Sequence, residues 1–469
     1  MKNDGTVKKI GFVAFSNIIK LVSSILIGFV IPNLLGLTDY GYYKVFVLYL
    51  TYIGLFHFGF IDGIYLKYGG IDYKDINKSK FRTYFRFLLS LETMITLIGL
   101  IVTLLFIDGE KQFIFILLFL NLLATNLTTY YQFVSQITSR FKEYSTRIII
   151  LAFTNIMIVA YMYLFDVKDY KTYVTLIVVV NYLLLMWYVY TYKDITFGRS
   201  ESINENKKDI ISFFSNGIPL LLANLAATFV ITVDKQIVEI FFSVEEFGIY
   251  SFAYSMLSMI TVVVSAVGVV LYPTLKKTNL NNISKYYTQL NRIIIVIVLM
   301  GLMGYFPLLW IIPRFLSNYT GSIIIFRIAL PGLALTSSIS AIKHNFFKIT
   351  DKNINFFFIS LIAIFLNIGL NLGAYYVYKT TTAIAISSII GISLWYVLTE
   401  IYMVRNHHVK WKLNSVILLL GVIAFYTITI INNFIISGLI YGTVILIVIF
   451  FAYRREIIKV VNGKLSKRM

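Results

Sequence analysis

The chain has 469 residues, of which 58% are hydrophobic and 13% charged, with a formal charge of +19 and no cysteine. Soluble domains carry about 25% charged and about 45–50% apolar residues, so at a mean hydropathy of +0.80 a soluble globular domain is excluded. The absence of thiols excludes a disulfide framework, thiol catalysis and a cysteine-held metal.

Apolar runs of about 20 residues recur from one end to the other, the length an α-helix needs to cross a hydrocarbon core about 30 Å thick. Helices close their own backbone hydrogen bonds, which lipid cannot supply, whereas barrel strands alternate in character over about 10 residues. The chain therefore reads as an all-α polytopic membrane protein. Spans are predicted at 10–31, 42–61, 87–107, 112–135, 147–165, 172–191, 211–233, 249–271, 293–312, 322–342, 354–376, 381–402, 413–431 and 434–453, about fourteen transmembrane helices in all. The basic N-terminus and its apolar run resemble a signal peptide. Lys20 interrupts that run and no small-residue cleavage site precedes Pro32, so it reads as a retained first span. Only Ile431-Asn432-Asn433 joins the last two spans, which makes them a tight hairpin or a re-entrant pair.

Charge placement tests the count. With a cytoplasmic N-terminus and alternating sides, most Lys and Arg fall on the inner face. Lys44, Lys111, Lys168, Lys171, Lys235, Arg314 and Lys379 fall outside, and Lys20 and Arg327 lie within spans. This is the positive-inside pattern, and it explains the basic excess without nucleic acid. Both termini are then cytoplasmic. The long polar connections face inward, and no folded outer domain is available.

The sequence also repeats itself. Phe15-Ser16-Asn17 opens an apolar run ending at Asp39-Tyr40-Gly41-Tyr42-Tyr43, and Phe214-Ser215-Asn216 opens another ending at Glu246-Phe247-Gly248-Ile249-Tyr250. Six spans separate the copies, and an even number keeps both in one orientation, as expected for a pseudo-two-fold axis along the membrane normal. The implied organisation is an N-terminal lobe at 1–191 and a cytoplasmic linker at 192–210. A C-terminal lobe at 211–402, a helix pair at 413–453 and a basic tail at 454–469 follow. The linker's SESINENKKD composition suits a solvated connector.

Ionisable groups within spans are the functional candidates, because each costs about 2.5–3.5 kcal/mol near the bilayer centre unless paired or hydrated. Lys20 lies about 16 Å into the first span at 1.5 Å per residue, too deep to reach an interface easily, so it reads as cavity-lining. Asp234 and Lys235 point about 100° apart on a helix and do not satisfy each other readily. Asp234 is either an ion-coupling group or a partner for another helix. Arg327, four residues before Pro331, is either a substrate contact or snorkels outward. Glu92, one turn into the third span, reads as an ion-coupling group or an ion-pair partner of Arg86; Arg86 itself is an inner-mouth candidate. Asn17, Asn224, Asn367 and Asn371 read as interhelical hydrogen bonds, and His57 as packing. Pro219, Pro307 and Pro331, each near a glycine, are places where a helix can break. No metal motif, phosphate loop or nucleophile elbow is present, so catalytic, cofactor and metal residues are assigned to none.

Several stretches resemble a known family. LLGLTDYGYYKVF (Leu34–Phe46), HFGFIDGIYLKYGG (His57–Gly70), GIPLLLANLAATFVITVDKQIV (Gly217–Val238) and EEFGIYSFAYSM (Glu245–Met256) resemble motifs of Wzx-type polysaccharide-export flippases. These belong to the multidrug/oligosaccharidyl-lipid/polysaccharide (MOP) superfamily. The resemblance implies a MATE-like fold of two six-helix lobes plus a C-terminal helix pair. It implies transfer of an undecaprenyl-diphosphate-linked oligosaccharide, an O-antigen, capsule or exopolysaccharide repeat unit, to the outer leaflet of a bacterial plasma membrane. The route would be alternating access through a cationic cavity holding Lys20, Lys235, Arg327 and Arg86. No cofactor is implied beyond coupling to a proton or sodium gradient or the membrane potential, and the implied partners include the polymerase and chain-length machinery of the same pathway.

Two other readings stand beside this one. A MATE-type drug or cation antiporter calls for acidic groups deep in the first lobe, where this chain offers Lys20. A membrane glycan polymerase or ligase calls for a charged outer loop for chemistry, and the outer loops here are short.

Overall fold

The computed structural model describes residues 2–276, 283–409, 412–431 and 433–465. Lys277, Lys410, Lys467 and Arg468 of the inner cations and Asn432 of the last turn lie outside the described residues. Among the described residues the secondary structure is helical, with no strand. All fourteen apolar stretches fall on helices, and the chain is a multi-pass membrane protein.

Among the described residues ten helices are individually long and apolar enough to cross a membrane, and eleven if one bent pair is counted as a span. The first of these holds two predicted spans, because helix α1 (Lys2–Leu50) turns at Gly36. Its φ of 74° lies in the left-handed region, which a residue without Cβ enters at no steric cost. The second predicted span is broken further on. A 3₁₀ turn, Ile53–His57, separates α1 from α2 (Phe60–Tyr68), with Phe58 and Gly59 both at positive φ.

α3 (Lys78–Phe106), α4 (Gly109–Ile137), α5 (Phe141–Leu164) and α6 (Tyr170–Thr191) carry the next four spans. The short α7 (Lys193–Thr196) and α8 (Lys207–Phe241) follow, then α9 (Val244–Lys276). The ninth span is α10 (Ile283–Gly301), a 3₁₀ turn, and α11 (Tyr305–Phe315), broken just before Pro307. The tenth is α12 (Ser322–Ala329), α13 (Gly332–Ser337), a π-helical turn Ser338–Lys343, and α14 (His344–Ile349). It bends by 47° at Leu330-Pro331, where proline removes a backbone donor and crowds the preceding turn. Pro219, by contrast, sits inside an uninterrupted α8. α15 (Asn353–Tyr378), α16 (Thr381–His407), α17 (Lys412–Ile428) and α18 (Phe434–Leu465) complete the chain.

The chain divides into two compact units, Met1–Ser251 and Phe252–Met469. The first takes in α8, which opens the second half of the sequence repeat. Its core packs Phe60, Tyr84, Tyr130, Tyr131, Tyr188, Tyr192 and Phe213, all essentially buried. Three of the tyrosine hydroxyls are satisfied locally, Tyr130 donating to Phe81 O at 2.9 Å and Tyr131 and Tyr192 meeting Thr196 and Ser135 at 2.7 Å each, whereas the buried Tyr188 hydroxyl has no hydrogen-bond partner among the described residues. The 192–206 segment is held down on α3. Arg82 reaches the carbonyls of Asp194 and Arg199, and Thr83 reaches that of Glu201. In the second unit Asn371 of α15 accepts from Ser387 of α16 at 2.9 Å, the interhelical role expected of it, whereas its bond to Asn367 and that of Asn17 to the Val13 carbonyl each lie within one helix.

Backbones approach very closely along α8. A Cβ added to Gly217 would lie 1.9 Å from Gly59 O, and one on Gly63 would lie 2.1 Å from Phe213 O. Toward the other end Gly248 abuts Gly41, its added Cβ falling 3.3 Å from the Gly41 Cα; these are the matched glycines of the sequence repeat. Small residues substitute here for the hydrophobic drive that lipid does not provide between helices. Gly217→Val should therefore lower thermal stability in detergent, by about 1–3 kcal/mol or more as overpacking does. Gly369→Ala, whose Cβ meets nothing within 4 Å, should not. Equal melting of the two variants would show that the α2–α8 contact can relax.

Candidate functional site

Each span cation has to find a counter-charge, an aromatic face, a backbone carbonyl or water. In the first unit Lys20 stands on α1 with its side chain exposed, and Arg147 faces it from α5 closely enough for the two charges to repel. α1 and α5 pack along this stretch, with Ser23 Oγ donating to the Ala152 carbonyl at 3.0 Å. Arg147 is half-buried beside Tyr144 and Tyr188, and the Gln132 amide faces its guanidinium. Among the described residues neither cation has a carboxylate partner.

A second like-charge pair joins α1 to α8. Lys44 and Lys235 act on each other electrostatically. Lys44 lies over the rings of Tyr40 and Tyr43, at 5.0 and 4.8 Å. Asp234, fully buried, accepts from the Tyr250 hydroxyl at 2.7 Å and from the Lys235 backbone N–H at 2.8 Å. One turn along, Glu239 pairs with Lys111 at 2.7 Å and accepts from Tyr49 at 3.0 Å.

Arg86 and Glu92 do not pair. The Arg86 guanidinium donates to Ser200 Oγ at 2.7 Å and to Gly198 O at 2.8 Å, holding the 198–200 backbone. Glu92 is instead fully buried against Asn126, which donates to it at 3.0 Å. His57 is buried, as expected of a packing residue; its Nδ1 accepts from the Gly59 N–H at 3.2 Å and lies 3.8 Å from Asp62.

In the connection to α8, burial alone would raise the Asp194 carboxyl. The Lys78 ammonium at 2.8 Å and the Tyr73 hydroxyl at 2.6 Å outweigh that effect and hold it below the usual aspartate value. These contacts favour the ionised form. They persist above the unfolded-state value and are lost as pH falls through the lower folded one.

In the second unit Arg327 lies on α12 beside Tyr305 and Tyr426, with its Nε buried and without a hydrogen-bond acceptor. Lys343, the last residue of the π turn, is fully buried. Its ammonium pairs with Glu400 at 2.8 Å, donates to Tyr396 O and Thr399 Oγ1, and sits 3.4 Å from the Tyr396 ring centroid. Tyr287 completes the cluster by donating to Glu400 at 2.6 Å.

Arg147, Lys44, Lys343 and Glu400 are absent from the candidates read from sequence. The first three sit at or next to predicted span boundaries and pass for loop cations. Glu400 had a signal, a carboxylate inside the span 381–402.

The sequence matches no protein-family model and no curated protein. The fold does match solved structures. A lipid II flippase, MurJ, in its inward-closed conformation superposes with a TM-score of 0.72 at 13% identity, covering 96% of this chain and 100% of that one. An inward-facing multidrug-resistance MATE transporter of the MOP superfamily gives 0.59 at 15% identity, covering 82% and 97%. A MOP superfamily transporter from Pyrococcus furiosus gives 0.60 at 13% identity, covering 84% and 94%. At these identities the likeness is one of fold, and the expected MATE-like MOP architecture is the one the chain adopts.

The Lys343–Glu400 pair gives a separable prediction. Lys343→Met should destabilise the protein by about 3–5 kcal/mol, because it strands a buried carboxylate. The Lys343→Met/Glu400→Gln double variant should recover most of that loss in thermal melting. A double variant that melts as low as the single one would show the pair is more than a mutually satisfied ion pair.

Proposed function

We propose that the chain is a flippase that moves an undecaprenyl-diphosphate-linked oligosaccharide from the cytoplasmic to the outer leaflet of a bacterial plasma membrane. The cargo would be an O-antigen, capsule or other exopolysaccharide repeat unit, carried by alternating access. The observation that supports this most directly is the Lys20–Arg147 pair. Two cations on adjacent spans, with no carboxylate between them, form an arrangement that an anion relieves. A diphosphate offers oxygen acceptors to both an ammonium and a guanidinium, in charge-assisted bonds about twice as strong as neutral ones. The likeness of fold to a protein described as a lipid II flippase supports the same class of cargo, a sugar headgroup on a lipid carrier.

The drug-antiporter reading calls for acidic groups deep in the first lobe, and Glu92 is one, but a cationic drug would meet repulsion at the Lys20–Arg147 pair. For a polymerase or ligase the sequence offers no nucleophile or metal motif. Lys235, Arg327 and Arg86 remain candidate contacts for the phosphate or for acidic sugars, and Asp234 and Glu92 for ion coupling. Polymerase and chain-length proteins of the same pathway would be the partners, and both termini would lie in the cytoplasm.

Surface-glycan complementation tests the reading. Lys20→Ala and Arg147→Ala should each reduce glycan export about tenfold or more at normal expression, the scale of one charged hydrogen bond lost. Lys20→Arg should retain export. Wild-type surface glycan from the double alanine variant would overturn the assignment.

A further inference from the structure

Glu92 and the break in the second span point to a site of a different kind. Glu92 lies midway between the ends of α3 and is 0% exposed. One amide nitrogen, Nδ2 of Asn126 on α4, donates to Glu92 Oε2 at 3.0 Å and to the carbonyl of Ile53 at 3.3 Å. Ile53 begins the 3₁₀ turn that replaces α-helix in the second span. Asn126 therefore ties the carboxyl to the one stretch of that span whose backbone is not regular helix. The other carboxyl oxygen, Oε1, is equally buried and has no hydrogen-bond partner.

The titratable and charged groups on the neighbouring elements are engaged elsewhere. His57, on the 3₁₀ turn, accepts from Gly59 and lies against Asp62 of α2. On α4, Tyr130 donates to Phe81 O and Tyr131 is bonded to Thr196. Arg86, two turns back on α3, is committed to Gly198 and Ser200. Among the described residues no cation is paired with Glu92.

A carboxylate so placed, with one neutral amide and no counter-charge, is expensive in its ionised form. Hard metal cations need several oxygen ligands, and here the Asn126 NH₂ group already stands between the two acceptors that would supply them. A proton needs only one oxygen, and Oε1 offers it.

We propose that Glu92 is a proton-binding site whose loading state is passed through Asn126 to the broken second span. On loading, a proton from water adds to Oε1 and turns the carboxylate into a neutral acid. On release it returns to water, and the negative charge left behind draws the Asn126 amide toward Oε2, because charged acceptors bind shorter and more strongly than neutral ones. That pull weakens the longer bond to Ile53 O, so the 3₁₀ turn is held less firmly when the site is empty. The site itself does not depend on the flippase reading. Coupling a proton gradient to cargo movement through it does.

Infrared difference spectroscopy of the purified full-length protein in nanodiscs, stepped through pH without sodium, tests the site. A carboxylic-acid carbonyl band should appear as pH falls, vanish in Glu92→Gln and move in Glu92→Asp, which keeps the acid. Asn126→Ala should shift its midpoint. A spectrum unchanged by Glu92→Gln overturns the proposal, and so does a band that responds to sodium at fixed pH, which would assign the site to an alkali ion. In proteoliposomes carrying the lipid-linked glycan, Glu92→Gln should flip at the no-gradient rate whether or not a pH gradient is imposed. An infrared band that behaves as expected in a protein that flips nothing would leave the proton site standing and remove the flippase reading.

Discussion

Hydrocarbon offers a charged side chain no anion, no water and no polarisable acceptor, so every cation this chain carries inside a span must be met by the protein itself or by what the protein binds. The structure shows several solutions side by side. Lys343 has a carboxylate, a carbonyl, a hydroxyl and a ring face, and is fully enclosed. Lys111 has Glu239, and Lys44 rests over two tyrosine rings. Near the helix ends, Arg82 and Arg86 spend their donors on backbone carbonyls of the 194–199 segment. Lys20 and Arg147 have no carboxylate partner among the described residues, Arg147 being met by the Gln132 amide and two tyrosines. They face each other, and the proposed anion site rests on that arrangement.

Helix α8 is fastened to the first half of the chain by two different means. Toward its start, Asp209 accepts from Lys67 at 2.7 Å and from Tyr84 at 2.9 Å, and the glycine contacts lie immediately beyond. Toward its end come the bonds of Asp234 and Glu239, followed by the Gly41–Gly248 contact. Glycine contacts are steric and hold whatever the ionic strength, whereas exposed ion pairs such as Lys67–Asp209 weaken as salt screens them.

The fold was largely legible in the sequence because the bilayer imposes a one-dimensional rule, about 20 apolar residues per crossing with cations on one side. The repeat around Gly41 and Gly248 was legible too, and the structure adds why glycine stands at both: Gly248 leaves room for the backbone of Gly41, and Gly41 for that of Val244 one turn before Gly248. The site was less legible. Lys20 was visible because it interrupts an apolar run, but its neighbour Arg147 sits at a predicted span edge, where a cation attracts no notice. Arg86 and Glu92, close in sequence, suggested a pair; helix geometry sends one to the 198–200 backbone and the other into the core. Lys343 and Glu400 are 57 positions apart, and only tertiary packing brings them to 2.8 Å. A one-dimensional reading finds charges in spans but does not find what they face.

The two kinds of unrelieved charge in the first unit differ in what can relieve them, and that difference bears on how cargo and driving force could be separated. Facing cations are relieved by a bound anion, which offers oxygen acceptors to an ammonium and a guanidinium together. A lone carboxyl can be neutralised by a proton, without any cargo. Lys20 and Arg147 lie on α1 and α5, whereas Glu92 reaches the second span through Asn126 on α4 and the carbonyl of Ile53. Both α1 and the Ile53 turn belong to the same stretch of chain, which turns at Gly36 and again at Gly59. An anion at one point of that stretch and a proton at another would therefore act on the same segment of chain without competing for the same atoms.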